Sequence, residues 1–250
     1  GVDIPLIEGG FKRIRNHLLN YLDTNALDRE YLVISGKTGT GKTLLLNEFS
    51  HKIDLEGLAN HKGSSFGRQV EPQPTQINFE HAIAIQLMKL QSSLPIIVED
   101  ESTNIGSVSI PPKLFSSIHN SPVLVLEETV EDRVKVIIDD YIIGLSKNYI
   151  AAHPIDGYKL YSEHLCSALF RVRKRLGGEL YSKLDSRLKS SLEIQQTTGQ
   201  VTQHDSWIVP MLVEYYDGMY KYQFDKQKRN VLIKGDSATL KEFILQHKNN

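Results

Sequence analysis

The run Gly36-Lys37-Thr38-Gly39-Thr40-Gly41-Lys42-Thr43 constrains this chain more than any other stretch. It fits Gly-x-x-x-x-Gly-Lys-Thr, a phosphate-cradling pattern that works only between a buried strand and the start of a helix. Both neighbours are present. Tyr31 to Ser35 is apolar and partly β-branched, as a buried strand should be, and Lys42 to His51 reads as a helix with Leu45 and Phe49 on one face. Gly36, Gly39 and Gly41 permit backbone angles that turn successive N–H groups toward an anion. The helix dipole adds positive potential near Lys42, whose ammonium reaches a terminal phosphate, and the Thr43 hydroxyl is suited to Mg²⁺. A di- or triphosphate is the expected ligand; a ligand-free glycine-rich turn is the alternative.

A chain of 250 residues with 40% hydrophobic and 24% charged side chains has the composition of a globular protein of one large domain or two small ones. It lacks an apolar run of 18 residues, and its first residues do not resemble a secretory signal, so a cytoplasmic protein without a membrane partner is expected. A single cysteine, Cys166, leaves no internal disulfide and suits a reducing compartment. The charge is uneven. Residues 1–150 carry 14 Lys and Arg against 19 Asp and Glu, and residues 151–250 carry 15 against 11, which makes the C-terminal part the better polyanion surface.

Strand-like runs recur at Ile96 to Val98 and Val123 to Leu126, with room for helices between them. That alternation predicts an α/β fold of the P-loop NTPase type, a parallel sheet covered by helices on both faces. Phe79 to Gln91 reads as a crossover helix, and Thr129 with Asp132 resembles a capping box for a helix through about Ser146. Beyond about Tyr158 the pattern becomes helical, over 158–176, 178–195 and 205–222, the last kinked at Pro210. A short strand near Val231 to Ile233 and a helix from Ser237 to His247 follow. The expected organisation is a core over 27–150 and a mostly helical extension over 151–250.

The strand Ile96 to Val98 runs into Glu99-Asp100-Glu101-Ser102, the arrangement of a Walker B segment, in which Glu99 or Asp100 would hold Mg²⁺ directly or through water. Acids at strand ends also serve as plain helix caps. Lys42, Glu99 and Asp100 are therefore the candidate catalytic residues, and Thr43 with Asp100 the candidate metal ligands. Arg133, early in its helix, is placed either to clamp phosphate or to pair with Asp132 or Asp140. Arg171, Arg173, Lys174 and Arg175 put four cations in five positions and form the candidate surface for an RNA backbone. Tyr215, Tyr216, Tyr220 and Tyr222 offer stacking faces, although their spacing also suits packing between helices.

The succession Asp54 to Gly67, Pro74-Thr75-Gln76, Phe79-Glu80, Glu99 to Ser102 and Ile105-Gly106 resembles the P-loop domain of bacterial tRNA 2-selenouridine synthases. The likeness continues through Arg133, Asp140-Tyr141, Lys174 to Gly177, Gln196 to Gly199, Trp207 to Pro210 and Tyr215 to Tyr220, so it covers nearly the whole chain. Asp3 to Arg15 is similar to the last strand and helix of the rhodanese domain that precedes the P-loop domain in that family, which makes residues 1–26 the expected tail of such a domain. The rhodanese body, with the cysteine assigned to selenium transfer, is then an absent partner. Cys166 does not match that cysteine, and its neighbours Leu165, Leu169 and Phe170 suit a buried helix position.

The resemblance implies a transferase that replaces sulfur by selenium in wobble-position 2-thiouridine of tRNA, with selenophosphate as donor. It also implies S-geranylation from geranyl diphosphate, the geranylated base being an intermediate. A diphosphate leaving group needs the same N–H cradle and Lys42 charge as a nucleotide, so the loop takes geranyl diphosphate in place of, or besides, a purine nucleotide with Mg²⁺. The stretch His61, Lys62, Gly63, Ser64, Ser65, Phe66, Gly67 and Arg68 is expected to form a mobile loop beside the phosphates, able to close over substrate or RNA; a rigid connection with solvated cations is the alternative. Two other functions fit the P-loop: a nucleotide or small-molecule kinase, and a non-catalytic RNA-binding module.

Overall fold

The computed structural model describes residues 7–91 and 93–247. Its centre is β1 (Tyr31–Gly36), buried along its whole length. β3 (Ile96–Glu99) pairs with it on one side and β6 (Val123–Leu126) on the other, both parallel, so that Val33 lies opposite Val98 and Val123. The two-residue β2 (Lys52–Ile53) and the later β7 (Val231–Gly235) complete a five-stranded parallel sheet in the order β2-β3-β1-β6-β7. A strand buried on both faces has no polar side to alternate with, which is why these segments read as continuous apolar runs.

Strand parity sorts the core into two faces. Tyr31, Val33, Ile96, Val98, Val123 and Val125 pack under α1 (Gly10–Asn25), α4 (Gln76–Lys89) and α5 (Pro112–Asn120). Ile34, Ile97, Leu124 and Leu126 face α2 (Lys42–Asn47) and α12 (Ser237–His247). Each such side chain contributes about 1.5–3 kcal/mol by leaving water. The first helix belongs to this core through Leu18 and Leu22. The strand expected before it includes residues 3–6, which lie outside the described residues.

Between β2 and β3 the chain forms α3 (Leu55–Ala59) and a loop before α4; after β3 it makes the hairpin β4 (Asn104–Ile105) and β5 (Val108–Ser109). The phosphate-loop helix is shorter than expected, ending at Asn47 because residues 48–51 turn away to lead into β2. Thr129 caps α6 (Val130–Ile137) by accepting the Asp132 N–H, and the helix then widens into π-helical turns over 138–144 before α7 (Leu145–Ala152).

A second core, at the helical end of the molecule, gathers α8 (Gly157–Leu176), α9 (Gly178–Thr198) and α10 (Asp205–Pro210) around Tyr161, Leu165, Leu188 and Trp207. The kink expected at Pro210 appears as π-helical turns over 211–216, after which α11 (Asp217–Gln227) continues. Proline lacks the N–H of the regular ladder, so the backbone is re-paired with a wider spacing. The chain then returns to the sheet in β7 and α12. No helix among the described residues is long and apolar enough to cross a membrane.

Candidate functional site

The loop between β1 and α2 is held open as a cradle. Gly39, at φ +82°, stands where a Cβ would meet the Arg133 carbonyl oxygen at 2.9 Å, so both its backbone angle and its surroundings require glycine. Thr40 Oγ1 donates to Lys37 O at 2.9 Å, and Lys42 Nζ donates to Gly36 O at 3.1 Å across the loop's mouth. Thr38, Gly39, Gly41, Lys42 and Thr43 form one wall of a cavity of about 340 Å³. Glu56, Glu101, Lys62, Asp140 and Tyr141 form much of the rest.

Arg133 is placed differently from either expectation. Its side chain is 1% exposed, Nε donates to Thr38 O at 2.9 Å, and its two terminal nitrogens donate to Asp217 at 3.0 and 2.6 Å. Asp217 also takes Lys37 Nζ at 3.1 Å. Arg133 therefore braces the loop from behind and pairs with neither Asp132 nor Asp140. Burial pushes the Asp217 carboxyl upward, but the hydrogen bonds from Arg133 and Lys37 outweigh it and hold the group below the ordinary aspartate range.

The acids that end β3 separate by parity. Asp100 turns toward β1 and the C-terminal lobe: Oδ2 accepts from Ser35 Oγ at 2.7 Å and Oδ1 from Arg229 Nη1 at 2.8 Å. Glu99 is 1% exposed, with Oε1 accepting the Glu56 N–H at 2.8 Å and Oε2 left without a partner. Burial, and then the Asp54 charge, raise its carboxyl well above the usual range. Glu101 reaches the cavity beside Glu56. Burial and the Glu56 charge push it up to about 8, and burial raises Glu56 as well despite nearby Lys42.

The pairing of Thr43 with Asp100 around a metal is thus corrected. Asp100 is committed to Ser35 and Arg229, whereas Thr43 Oγ1 lies 3.4 Å from Glu56 Oε2. Thr43, Glu56 and Glu101 offer the all-oxygen chemistry that suits Mg²⁺ beside a phosphate. No group of three or more His, Cys, Asp or Glu among the described residues is arranged to hold a metal by itself.

The loop from His61 to Arg68 stands beside the phosphate cavity as expected, but it is tied down. His61 and Arg68 form an antiparallel bridge, Lys62 N donates to Gly67 O at 2.9 Å, and Gly67 N donates to Ser64 O at 3.0 Å. Phe66 is buried with its ring stacked on Trp207 at 5.7 Å, and Ser65 Oγ lies 3.2 Å from the Tyr216 hydroxyl. Lys62 Nζ pairs with Asp140 at 2.7 Å over the face of Tyr141. Gly63 sits at φ +53°, where a Cβ would meet carboxyl oxygens of Glu56 and Glu101 at 2.6 and 2.8 Å. Of the two readings, a mobile loop and a rigid connection, the stretch takes the rigid one.

A small apolar slot of about 30 Å³ lies beside this cavity. Thr38, Ser64, Ile137, Tyr141 and Tyr216 line both spaces, while Phe66, Trp207, Ile208, Met211 and Leu212 line only the slot. The residues are visible in the sequence, but their convergence is not, because it joins positions 38, 66 and 207 through the tertiary packing of the helical lobe.

The four cations of α8 do not share one setting. Arg171 donates to Ser65 O on the 61–68 turn, Arg173 lies over the Phe170 ring at 3.6 Å, Arg175 interacts with Tyr215, and Lys174 is exposed. Cys166 is half-buried on α8, where burial and then Asp185 push its thiol upward, the reverse of an activated thiolate.

A parallel sheet with a phosphate cradle at the C-terminal end of its central strand, flanked by strand-end acids, defines a P-loop α/β domain. The tRNA 2-selenouridine synthase AAA domain family matches residues 29–250. A tRNA 2-selenouridine synthase of Marinobacter nauticus is 41% identical over 97% of this chain and 67% of its own length. Those of Photobacterium profundum and Shewanella piezotolerans are 37% and 39% identical, each over 98% of this chain and 68% of their own. The chain belongs to the tRNA 2-selenouridine synthase family, and spans about two thirds of these relatives. No solved structure gives a significant match.

Proposed function

We propose that this chain is the phosphate-binding part of a tRNA-modifying transferase that acts on wobble 2-thiouridine, using geranyl diphosphate and then selenophosphate. The observation that carries the reading is a small apolar slot that shares Thr38, Ser64, Ile137, Tyr141 and Tyr216 with the phosphate cavity: a polar cradle beside an apolar space suits a prenyl diphosphate better than a nucleotide. The 2-thiouridine sulfur attacks C1 of the geranyl group, the C1–O bond breaks, diphosphate leaves, and the base loses its N3 proton. The loop N–H groups and Lys42 stabilise the charge that develops on the departing diphosphate. Lys62, fixed by Asp140 at the cavity wall, adds a second cation. Mg²⁺, where bound, would neutralise diphosphate charge next to Thr43 and Glu56. Selenium transfer is not assigned to Cys166, and selenation is expected to need the family's rhodanese domain.

Titration of the protein with geranyl diphosphate, ATP and GTP, with and without Mg²⁺, tests this reading. Geranyl diphosphate should bind more tightly than either nucleotide, and Lys42→Ala should weaken it by about ten- to a hundredfold, as removal of a charge-assisted hydrogen bond does. Unchanged affinity in Lys42→Ala would reject the cradle as the diphosphate site. ATP-dependent phosphorylation of a small acceptor would favour a kinase.

A further inference from the structure

Granting that the chain acts on a tRNA base, we infer that Arg68 and Arg171 together hold one phosphodiester of the RNA at the far end of the 61–68 turn and so fix which base stands over the cavity. The turn separates two positions. Lys62, Gly63 and Ser64 line the phosphate cavity, whereas Ser65, Arg68 and Arg171 do not. Arg171 reaches the turn from α8 by donating to Ser65 O, and His164, two helical turns earlier, lies 3.3 Å from the neighbouring Phe66 carbonyl. Arg68 closes the turn opposite His61, with which it forms the antiparallel bridge. Both arginines are exposed.

These two cations lack a counter-charge that their neighbours have. Lys37 and Arg133 share Asp217, Lys62 has Asp140 and Arg229 has Asp100. Neither Arg68 nor Arg171 has a carboxylate within ion-pairing distance among the described residues. Burial and then the Arg68 charge lower the Arg171 guanidinium, and burial followed by Arg171 and Arg68 holds the His61 ring below the ordinary histidine range. Burial lowers His164 as well, so at neutral pH the positive charge rests on the two guanidinium groups. Like charges held side by side without compensation repel, and an anion bound to both removes that cost. A phosphodiester suits them, because each guanidinium presents a planar set of donors that matches phosphate oxygens, and Arg171 spends only one terminal nitrogen on Ser65 O. The surroundings favour an RNA backbone as its source. Lys174 and Arg175, three and four positions on, share the helix side of Arg171, and a chain of phosphates can use them where a single phosphate ion cannot.

The test measures binding of an anticodon stem-loop RNA, with 2-thiouridine at the wobble position, to the wild-type chain, Arg68→Ala, Arg171→Ala and the double variant. Each single change should weaken binding about tenfold, as loss of a charge-assisted contact does. The double variant should lower the slope of log affinity against log salt by about 0.7, the share of one phosphate on a single strand. Neutral methylphosphonates walked one at a time through the loop should reveal one position that costs the wild type about tenfold and costs the double variant nothing. Arg68→Ala, which removes repulsion and no ion pair, should not lower Tm, so its weaker binding cannot come from unfolding. A slope that falls twice as far, or a methylphosphonate penalty that persists in the double variant, would overturn the shared phosphate. Loss of inorganic pyrophosphate binding in Arg68→Ala would place the arginine in the diphosphate site instead, which also overturns it. If the wild type itself shows no salt-dependent affinity for this RNA, the tRNA reading fails; if the wild type and the double variant bind it alike, the Arg68–Arg171 site alone does.

Discussion

At the scale of single residues, the buried Arg133 guanidinium is held by Asp217, which lies 84 positions away and carries a second cation, Lys37. Removing one partner of a buried pair leaves the other charge without compensation, at a cost of about 3–5 kcal/mol. Asp217→Ala should therefore be strongly destabilised in a denaturant titration, and more so than Lys37→Ala, whose side chain is half exposed. The depressed carboxyl adds stability above the ordinary aspartate pKa, and that contribution disappears as pH falls through the lowered value. The Asp217→Ala variant should thus show a flatter acid limb of stability than the wild type. Glu99 has the opposite sign. Its raised carboxyl holds its proton more readily in the fold than in the unfolded chain, so stability declines as pH rises from the usual glutamate range toward that raised value. Glu99→Gln, which mimics the neutral form, should raise Tm at pH 8 by several degrees and leave it nearly unchanged at pH 4; equal shifts at both pH values would contradict a buried neutral carboxyl.

At the scale of elements, what the sequence reveals follows from how local the signal is. The loop from Gly36 to Thr43 and the helix from Ser237 to His247 are set by neighbours in the chain, the latter by Asp236, whose carboxylate accepts the Thr239 N–H at 2.9 Å. Both are legible. Asp100 is legible in position but not in role, because strand parity sends residues 99 and 101 to one side and 100 to the other. That alternation alone groups Glu99 with Glu101. The anchoring of the His61 to Arg68 turn is not legible at all, since Phe66 is fixed by Trp207 from 141 positions downstream. Phe66→Ala should lose about 3–5 kcal/mol of stability. It should also open Lys62 and Arg68 to trypsin at concentrations that leave the wild-type turn intact. Cleavage there at equal rates in both proteins would show that Phe66 does not hold the turn.

At the scale of the whole molecule, the helical lobe is tied to the phosphate site from three directions: Asp217 to the loop, Tyr220 to Ser35 at 3.2 Å, and Arg229 to Asp100. The same α8 helix that carries the basic cluster passes Arg171 to the turn beside the cavity, so a polyanion lying on that face would run toward the phosphate loop. Composition points to this half through its positive balance, but it cannot divide the cations by role. Lys174 is exposed, Arg173 stacks on Phe170, and Arg171 is partly engaged by the Ser65 carbonyl. Replacing Arg173, Lys174 and Arg175 together by Ala should weaken tRNA binding and reduce the slope of log affinity against log salt by about 0.7–0.9 for each phosphate that is no longer neutralised. Geranyl diphosphate affinity should be untouched, because none of the three lines the cavity. Weakened binding with the slope unchanged would mean that these side chains support the lobe's packing and that the tRNA backbone lies elsewhere.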